Sequence, residues 1–323
     1  MFDRWLRHFL DEISSYRRLF IALAACLGHT VFAQDLAPRA YVITPLHSNA
    51  VVATYSFFDG NLDLQGGAPI TDSTARAHVP VLALFHSFNM FTRSASLTAG
   101  LPYGKADFHG KVQQNETDVH RSGLVDSVYR LSVNLFGGPA MAPREFIKWQ
   151  QKNLLGISLK VVAPTGQYDP TKLINLGNNR WAFKPEVGYS RRNGHWLVDA
   201  YFGTWFYTKN PKYFSQNQYT PDVHSRTQAP VGALEGHLSY DVKPRFWVSF
   251  DANYWYGGKI SLDGVENPST ELRSSRLGGT ASLPINRHQA VKFSYSNGAY
   301  IRYGGDFQNV SVAWQYSWLG RPK

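Results

Sequence analysis

The chain has 323 residues, of which 43% are hydrophobic and 17% charged, with 33 Lys and Arg against 23 Asp and Glu and a formal net charge of +10. A helical membrane bundle is excluded, because a helical span needs about 18 or more consecutive apolar residues and the longest apolar run, 19–33, is broken by Gly28, His29 and Thr30. Disorder is excluded by an aromatic content of 15%, far above that of a solvated chain, and few charges with many aromatics point to an all-β chain whose exterior does not wholly face water.

In chain order, residues 1–33 read as a secretory signal peptide: Arg17 and Arg18 form the charged end, 19–27 the apolar region, and Val31-Phe32-Ala33 a small-x-small-like cleavage site. The folded domain is then expected over 34–323. Two other readings of the same segment are lipidation at Cys26, after Leu23-Ala24-Ala25, and an uncleaved amphipathic helix. Cys26 is the one cysteine, so from Gln34 onward no disulfide framework, zinc cluster or thiol nucleophile can be built. Basic residues are scattered singly apart from Arg17-Arg18 and Arg191-Arg192, which argues against nucleic acid as a partner, since a basic footprint clusters on one face.

From Asn49 to Trp318 the dominant pattern has period two, which puts alternate side chains on opposite faces of a strand. Twelve segments carry it: 49–58, 78–91, 94–104, 124–136, 154–163, 183–192, 195–207, 229–242, 246–256, 272–284, 289–298 and 307–318. In the last, Val310, Val312, Trp314, Tyr316 and Trp318 share one face while Ser311, Ala313, Gln315 and Ser317 share the other. Tight links at Thr92-Arg93, Asn193-Gly194, Lys243-Pro244-Arg245 and Ile285–His288 alternate with long links at 59–77, 105–123, 164–182, 208–228, 257–271 and the shorter 299–306; Asn-Gly is the strongest two-residue hairpin signal. Segment 137–153 is long where a tight turn is due, and its Phe146, Ile147 and Trp149 beside Arg144, Lys148 and Lys152 suggest a short amphipathic helix at the periplasmic rim, lying at the interface or folding into the lumen.

An even strand count, alternating short and long links and aromatic residues near strand ends (Trp196, Phe206, Tyr254, Tyr256, Trp314, Trp318) are the pattern of an outer-membrane-type transmembrane antiparallel up-and-down β-barrel of about twelve strands. In hydrocarbon every backbone N–H and C=O must be paired within the protein, and a sheet does this only by closing on itself. A soluble sandwich would also alternate, but its polar face would carry Lys and Glu freely.

Several stretches resemble the putative MetA-pathway of phenol degradation family, bacterial outer-membrane β-barrel proteins described as transporters. They are residues 34–41 (QDLAPRAY), Pro69-Ile70, Gly100-Leu101-Pro102-Tyr103, Gly137-Gly138-Pro139-Ala140, residues 154–190 and residues 194–214. The resemblance covers essentially the whole of 34–323 and implies location in the outer membrane and movement of small, aromatic or hydrophobic solutes across it. The chain departs from the usual pattern at its end, where Gly320-Arg321-Pro322-Lys323 follows Trp318 instead of an aromatic terminus read by the outer-membrane insertion machinery.

If the apolar faces meet lipid, the opposite faces place Asp126, Arg130, Lys160, Glu186, Arg192 and Asp199 in the lumen. Tyr201, Trp205, Glu235, His237, Asp251, Arg276 and Lys292 complete the expected lumen lining. A barrel of this size is wider than the eight-stranded type that side chains fill and narrower than an open sixteen-stranded porin, so these charges either line a narrow aqueous path or pair across the lumen and close it. Tyr201 and Trp205 either offer a stacking surface to a passing aromatic ring or fill the lumen. In the loop 164–182, Pro164–Pro170 reads as a binding loop or as ordinary turn chemistry.

Catalytic signals are weak. The histidines His86, His195, His224, His237 and His288 show no Ser-and-carboxylate spacing, and neither an HExxH nor a calcium-type acidic loop occurs. Nothing calls for a cofactor or a metal. The expected function is therefore a non-enzymatic outer-membrane channel or transporter for passive uptake of small solutes in a Gram-negative bacterium, with outer-membrane lipid as its surroundings. The alternative is a structural or adhesive barrel that binds partners through long extracellular loops.

Overall fold

The computed structural model describes residues 37–63, 70–112, 115–218 and 220–320; the signal peptide and Cys26 expected over 1–33 lie outside them. The strands in chain order are β1 (Ser48–Asp63), β2 (Ile70–Met90), β3 (Arg93–Val112), β4 (Asn115–Leu124), β5 (Ser127–Phe136), β6 (Asn153–Ala163), β7 (Ala182–Asn193) and β8 (Trp196–Tyr207). They continue as β9 (Arg226–Gln228), β10 (Val231–Lys243), β11 (Phe246–Gly257), β12 (Ile260–Leu262), β13 (Val265–Asn267), β14 (Leu272–Pro284), β15 (Gln289–Ile301) and β16 (Gly304–Leu319). One helical turn, α1 (Pro143–Phe146), lies between β5 and β6.

Twelve of these strands close into an antiparallel barrel in the order β1-β2-β3-β5-β6-β7-β8-β10-β11-β14-β15-β16, shut by the pairing of β16 with β1 from Ser48↔Leu319 to Asp63↔Gly304. No helix of the described residues is long and apolar enough to cross a membrane. Burial is inverted relative to a soluble domain: Leu82 is 56% exposed, Phe202 54% and Phe250 57%, whereas Asp251, Ser190 and Ser239 are fully buried. Such a surface is stable only where the surroundings are hydrocarbon, with the polar side chains turned to the interior. On β8, Val198, Ala200, Phe202 and Phe206 face out and Asp199, Tyr201 and Trp205 face in.

The short links sit at one rim with both ends of the barrel chain, the long ones at the other. Aromatic residues border both ends of the outer surface. Trp196 meets Tyr240 at 4.8 Å edge to face and Tyr316 meets Trp318 at 5.9 Å near the short-link rim, while Phe206, Tyr254 and Tyr256 lie toward the other.

Four expectations are corrected. Links 59–77 and 105–123 are largely strand, because β2 and β3 run for 21 and 20 residues, roughly twice the 9–11 needed to cross a bilayer. Backbone pairing between them continues outward, as in Arg76↔Asp107 and Ala75↔Phe108. The segment 124–136 is interrupted at Val125-Asp126: β4 pairs with β3 outside the barrel and β5 pairs with it inside. The link 299–306 shrinks to Arg302-Tyr303. The first hairpin turns at Phe91-Thr92, one residue earlier than expected, with φ of 51° and 66°, the twisted geometry that matches the right-handed twist of paired strands.

Candidate functional site: the barrel lumen

At the long-link end the interior is apolar. Phe58, Val79, Ile260, Tyr303 and Phe307 form one buried cluster, and Val162, Trp205, Val231 and Trp255 form another. The small sheet β13-β12-β9 lies over this end. Asp263 fixes it, accepting from His224 Nδ1 at 2.6 Å and from the Ser225 N–H at 2.7 Å. Burial alone would raise the Asp263 carboxyl, but these hydrogen bonds hold it below its ordinary value.

Deeper in, the inward charges pair. Lys184 Nζ lies 2.6 Å from Glu186 Oε2 and 2.5 Å from Glu235 Oε1. Arg130 reaches Glu186 at 3.3 Å. His237 Nδ1 lies 2.8 Å from Asp251 Oδ1, and Thr280 Oγ1 donates to Asp251 Oδ2 at 2.8 Å. Arg276 donates to Ser296 Oγ at 3.0 Å, and the Lys160 ammonium lies 5.8 Å from the Trp205 ring centre. Inward carboxylates Glu186, Asp199, Glu235, Asp241 and Asp251 are outnumbered by the cations Arg39, Arg130, Lys160, Lys184, Arg192, Arg276 and Lys292.

At the short-link end the chain before β1 enters the lumen. Tyr41, 1% exposed, donates to Glu186 Oε1 at 2.9 Å and shares a hydrogen bond with Ser158 at 3.0 Å. Its ring lies under the Arg130 guanidinium at 4.8 Å and edge-on to Tyr201 at 5.1 Å. The Ala40 N–H donates to Tyr201 Oη at 3.0 Å and the Arg39 N–H to Asp199 at 3.2 Å. Arg39 pairs with Asp241 at 2.7 Å and stacks on Trp247 at 4.3 Å, and Arg192 shares the same carboxylate. Space for the Tyr41 ring exists because Gly156 and Gly188 face each other beneath it: a Cβ on Gly188 would lie 2.0 Å from Tyr41 Cε2, and one on Gly156 2.4 Å from Cδ1.

The segment 137–152 packs beneath this plug. Met141 joins Ile43 and Leu154 in a buried cluster flanked by Phe146 and Trp149, and Pro139 bridges to Arg93. Only one helical turn forms. An open cleft of about 770 Å³ remains beside it, bordered by Val42, Phe146, Trp149, Lys152 and Arg191.

Of the residues singled out from sequence, Arg130, Lys160, Glu186, Asp199, Tyr201 and Trp205 are brought together around the plug and the layer above it. Glu235, His237, Asp251 and Arg276 continue the network across β10, β11 and β14. Tyr201 and Trp205 are already engaged, one by the plug and one by the apolar cluster. Asp126 stands apart, at the break between β4 and β5. There it accepts from the N–H groups of Gly166 at 2.9 Å and Asn178 at 2.8 Å, tying the loop 164–181 to the wall. Within that loop Asp169 accepts from the Thr171 N–H at 3.0 Å and Asn175 Oδ1 from the Asp169 N–H at 2.8 Å, which is turn chemistry. Lys292 lies apart from the network on β15.

The sequence reading missed Arg39, Tyr41, Lys184 and Asp241. Strand parity was enough to find two of them, since Lys184 shares a face with Glu186 and Asp241 with His237. Arg39 and Tyr41 precede the first strand, and the only local trace of their position is the facing glycine pair Gly156↔Gly188.

Among the described residues, no serine or threonine hydroxyl hydrogen-bonds an imidazole, and no group of three or more His, Cys, Asp or Glu side chains is placed to hold a metal. A closed twelve-stranded wall with a polar, plugged interior and an apolar exterior defines an outer-membrane-type β-barrel. The chain belongs to the family described as Putative MetA-pathway of phenol degradation, whose model matches residues 58–306. The crystal structure of an outer membrane channel from Pseudomonas putida F1 is similar in fold, with a TM-score of 0.71 at 17% identity over 88% of this chain and 100% of that one. The transport unit of the autotransporter AIDA-I from Escherichia coli gives 0.49 at 11% identity over 93% and 97%. The β domain of the Bordetella autotransporter BrkA gives 0.49 at 12% over 84% and 100%. No curated protein matches the chain.

Proposed function

We propose that the chain is a channel of the bacterial outer membrane, exported by its amino-terminal signal, through which small amphipathic solutes diffuse without catalysis. One observation carries the reading: the innermost part of the plug, Arg39–Tyr41, is held by side chains of β5, β6, β7, β8, β10 and β11. On the opposite wall the inward Thr54, Ser56, Ala83, Thr98, Ser294 and Ser311 keep partial accessibility, while Phe58, Val79 and Phe307 toward the long-link end are buried. A passage therefore runs off-centre, between a plug held by ion pairs and a wall of small hydroxyl and apolar groups. Apolar clusters at the outer end and hydroxyls further in suit solutes with an apolar body and one polar end, and the aromatic compounds named in the family's description fit that class.

Liposome swelling tests the reading. Vesicles carrying the full chain should swell in isotonic benzoate or phenol-like solutes faster than empty vesicles and faster than in a trisaccharide. No difference from empty vesicles would contradict it and favour a structural barrel whose projecting β3–β4 hairpin binds a partner.

A further inference from the structure

Lys292 differs from every other inward charge. Arg39, Arg130, Lys184 and Arg192 each face a carboxylate, Lys160 lies by Trp205, and Arg276 donates to Ser296. Lys292 has neither hydrogen-bond nor ionic partner among the described residues, yet its strand parity turns it inward, since its outward neighbours are the exposed Phe293 and, beyond, Tyr295. Its surroundings explain the isolation. Across the two strand pairs it meets Ser282 and Ala313, and along its own face Ala290 and Ser294, all too short to reach an ammonium group held on four methylenes. The half-exposed Lys292 stands on the wall opposite the plug, where the passage runs.

We propose that Lys292 sets the charge preference of the passage, drawing small organic anions, carboxylates above all, past the plug and disfavouring cations. This rests on the channel reading given above. A lone cation in a narrow path attracts anions more strongly than it would in bulk water, because low-dielectric walls concentrate its field. Around it the partly accessible Ala290 and Ser282 offer apolar and hydroxyl contact for the body of the same solute.

The test is the reversal potential of the full chain in a planar bilayer under a potassium benzoate gradient. The wild type should prefer benzoate over potassium. Lys292→Gln should lower that permeability ratio by at least about threefold, and Lys292→Glu should invert the preference, while Lys148→Gln, which removes a cation outside the lumen, should leave it unchanged. Conducting channels with one ratio in all four proteins would overturn the role of Lys292 and leave the channel intact. Silent bilayers would count against the channel reading itself. In that case labelling of Lys292 by a water-soluble anionic amine reagent still decides whether the ammonium faces an aqueous path that admits anions: slower labelling in the presence of benzoate supports this, and an unlabelled Lys292 refutes it.

Discussion

Lys184 holds two carboxylates at once, Glu186 at 2.6 Å and Glu235 at 2.5 Å. Its replacement by Met keeps the bulk but leaves the buried charge of Glu235 without the ammonium that lies 2.5 Å from it. Removing one partner from a buried ion pair costs about 3–5 kcal/mol, so K184M should unfold at distinctly lower urea concentration in detergent micelles; an unchanged midpoint would show that water already screens the group. Gly188 acts through shape. A Val side chain there would begin 2.0 Å from the Tyr41 ring, closer than any real contact, so G188V should expel the ring. The expected readout is new tryptic cleavage after Arg39, resisted by the wild type, in a barrel whose strand content is unchanged. Neither effect could be read fully from sequence. Parity identifies Lys184 as inward but not its two partners, which come from β7 and β10, 51 positions apart for the longer pairing.

At the scale of elements, the twelve barrel strands were legible almost residue by residue, since alternation in segments such as 246–256 and 307–318 records which face meets hydrocarbon. The outward ends of β2 and β3 were not. Beyond the membrane, residues such as Asp72, Arg76, Asp107 and His109 are polar, and a polar strand looks like a loop in a hydropathy pattern. They remain strands because cross-strand pairs hold them, Arg76 with Asp59 at 3.1 Å and His120 with Asp107 at 2.6 Å. The outer sheet β9-β12-β13 depends on Asp263, whose carboxyl is held below its ordinary value by His224 and Ser225. A group depressed in the folded state stabilises above its unfolded pKa of about 3.9 and loses that contribution as pH falls through the folded value. Amide exchange in 224–226 and 260–263, taken relative to the intrinsic rate at each pH, should therefore accelerate below about pH 4 in the wild type. In Asp263→Asn it should already be faster at neutral pH; equal rates in the two proteins would contradict the anchoring role.

For the whole molecule, the decisive feature is a chain that plugs its own barrel from one side. The plug could not be read from composition or periodicity, because residues 37–46 have no repeat and their contacts, from Arg130 on β5 to Trp247 on β11, exist only once the barrel has closed. What was legible was the chemistry awaiting it: an inward surface with charges of both signs, too many to leave unpaired in a narrow lumen. The central claim is that this segment narrows the proposed passage. Single-channel conductance of the full chain, compared with a variant lacking residues 37–46, tests it most directly. The deletion should give stable openings of clearly higher conductance. Equal conductance from both proteins, or silence from both, would contradict it.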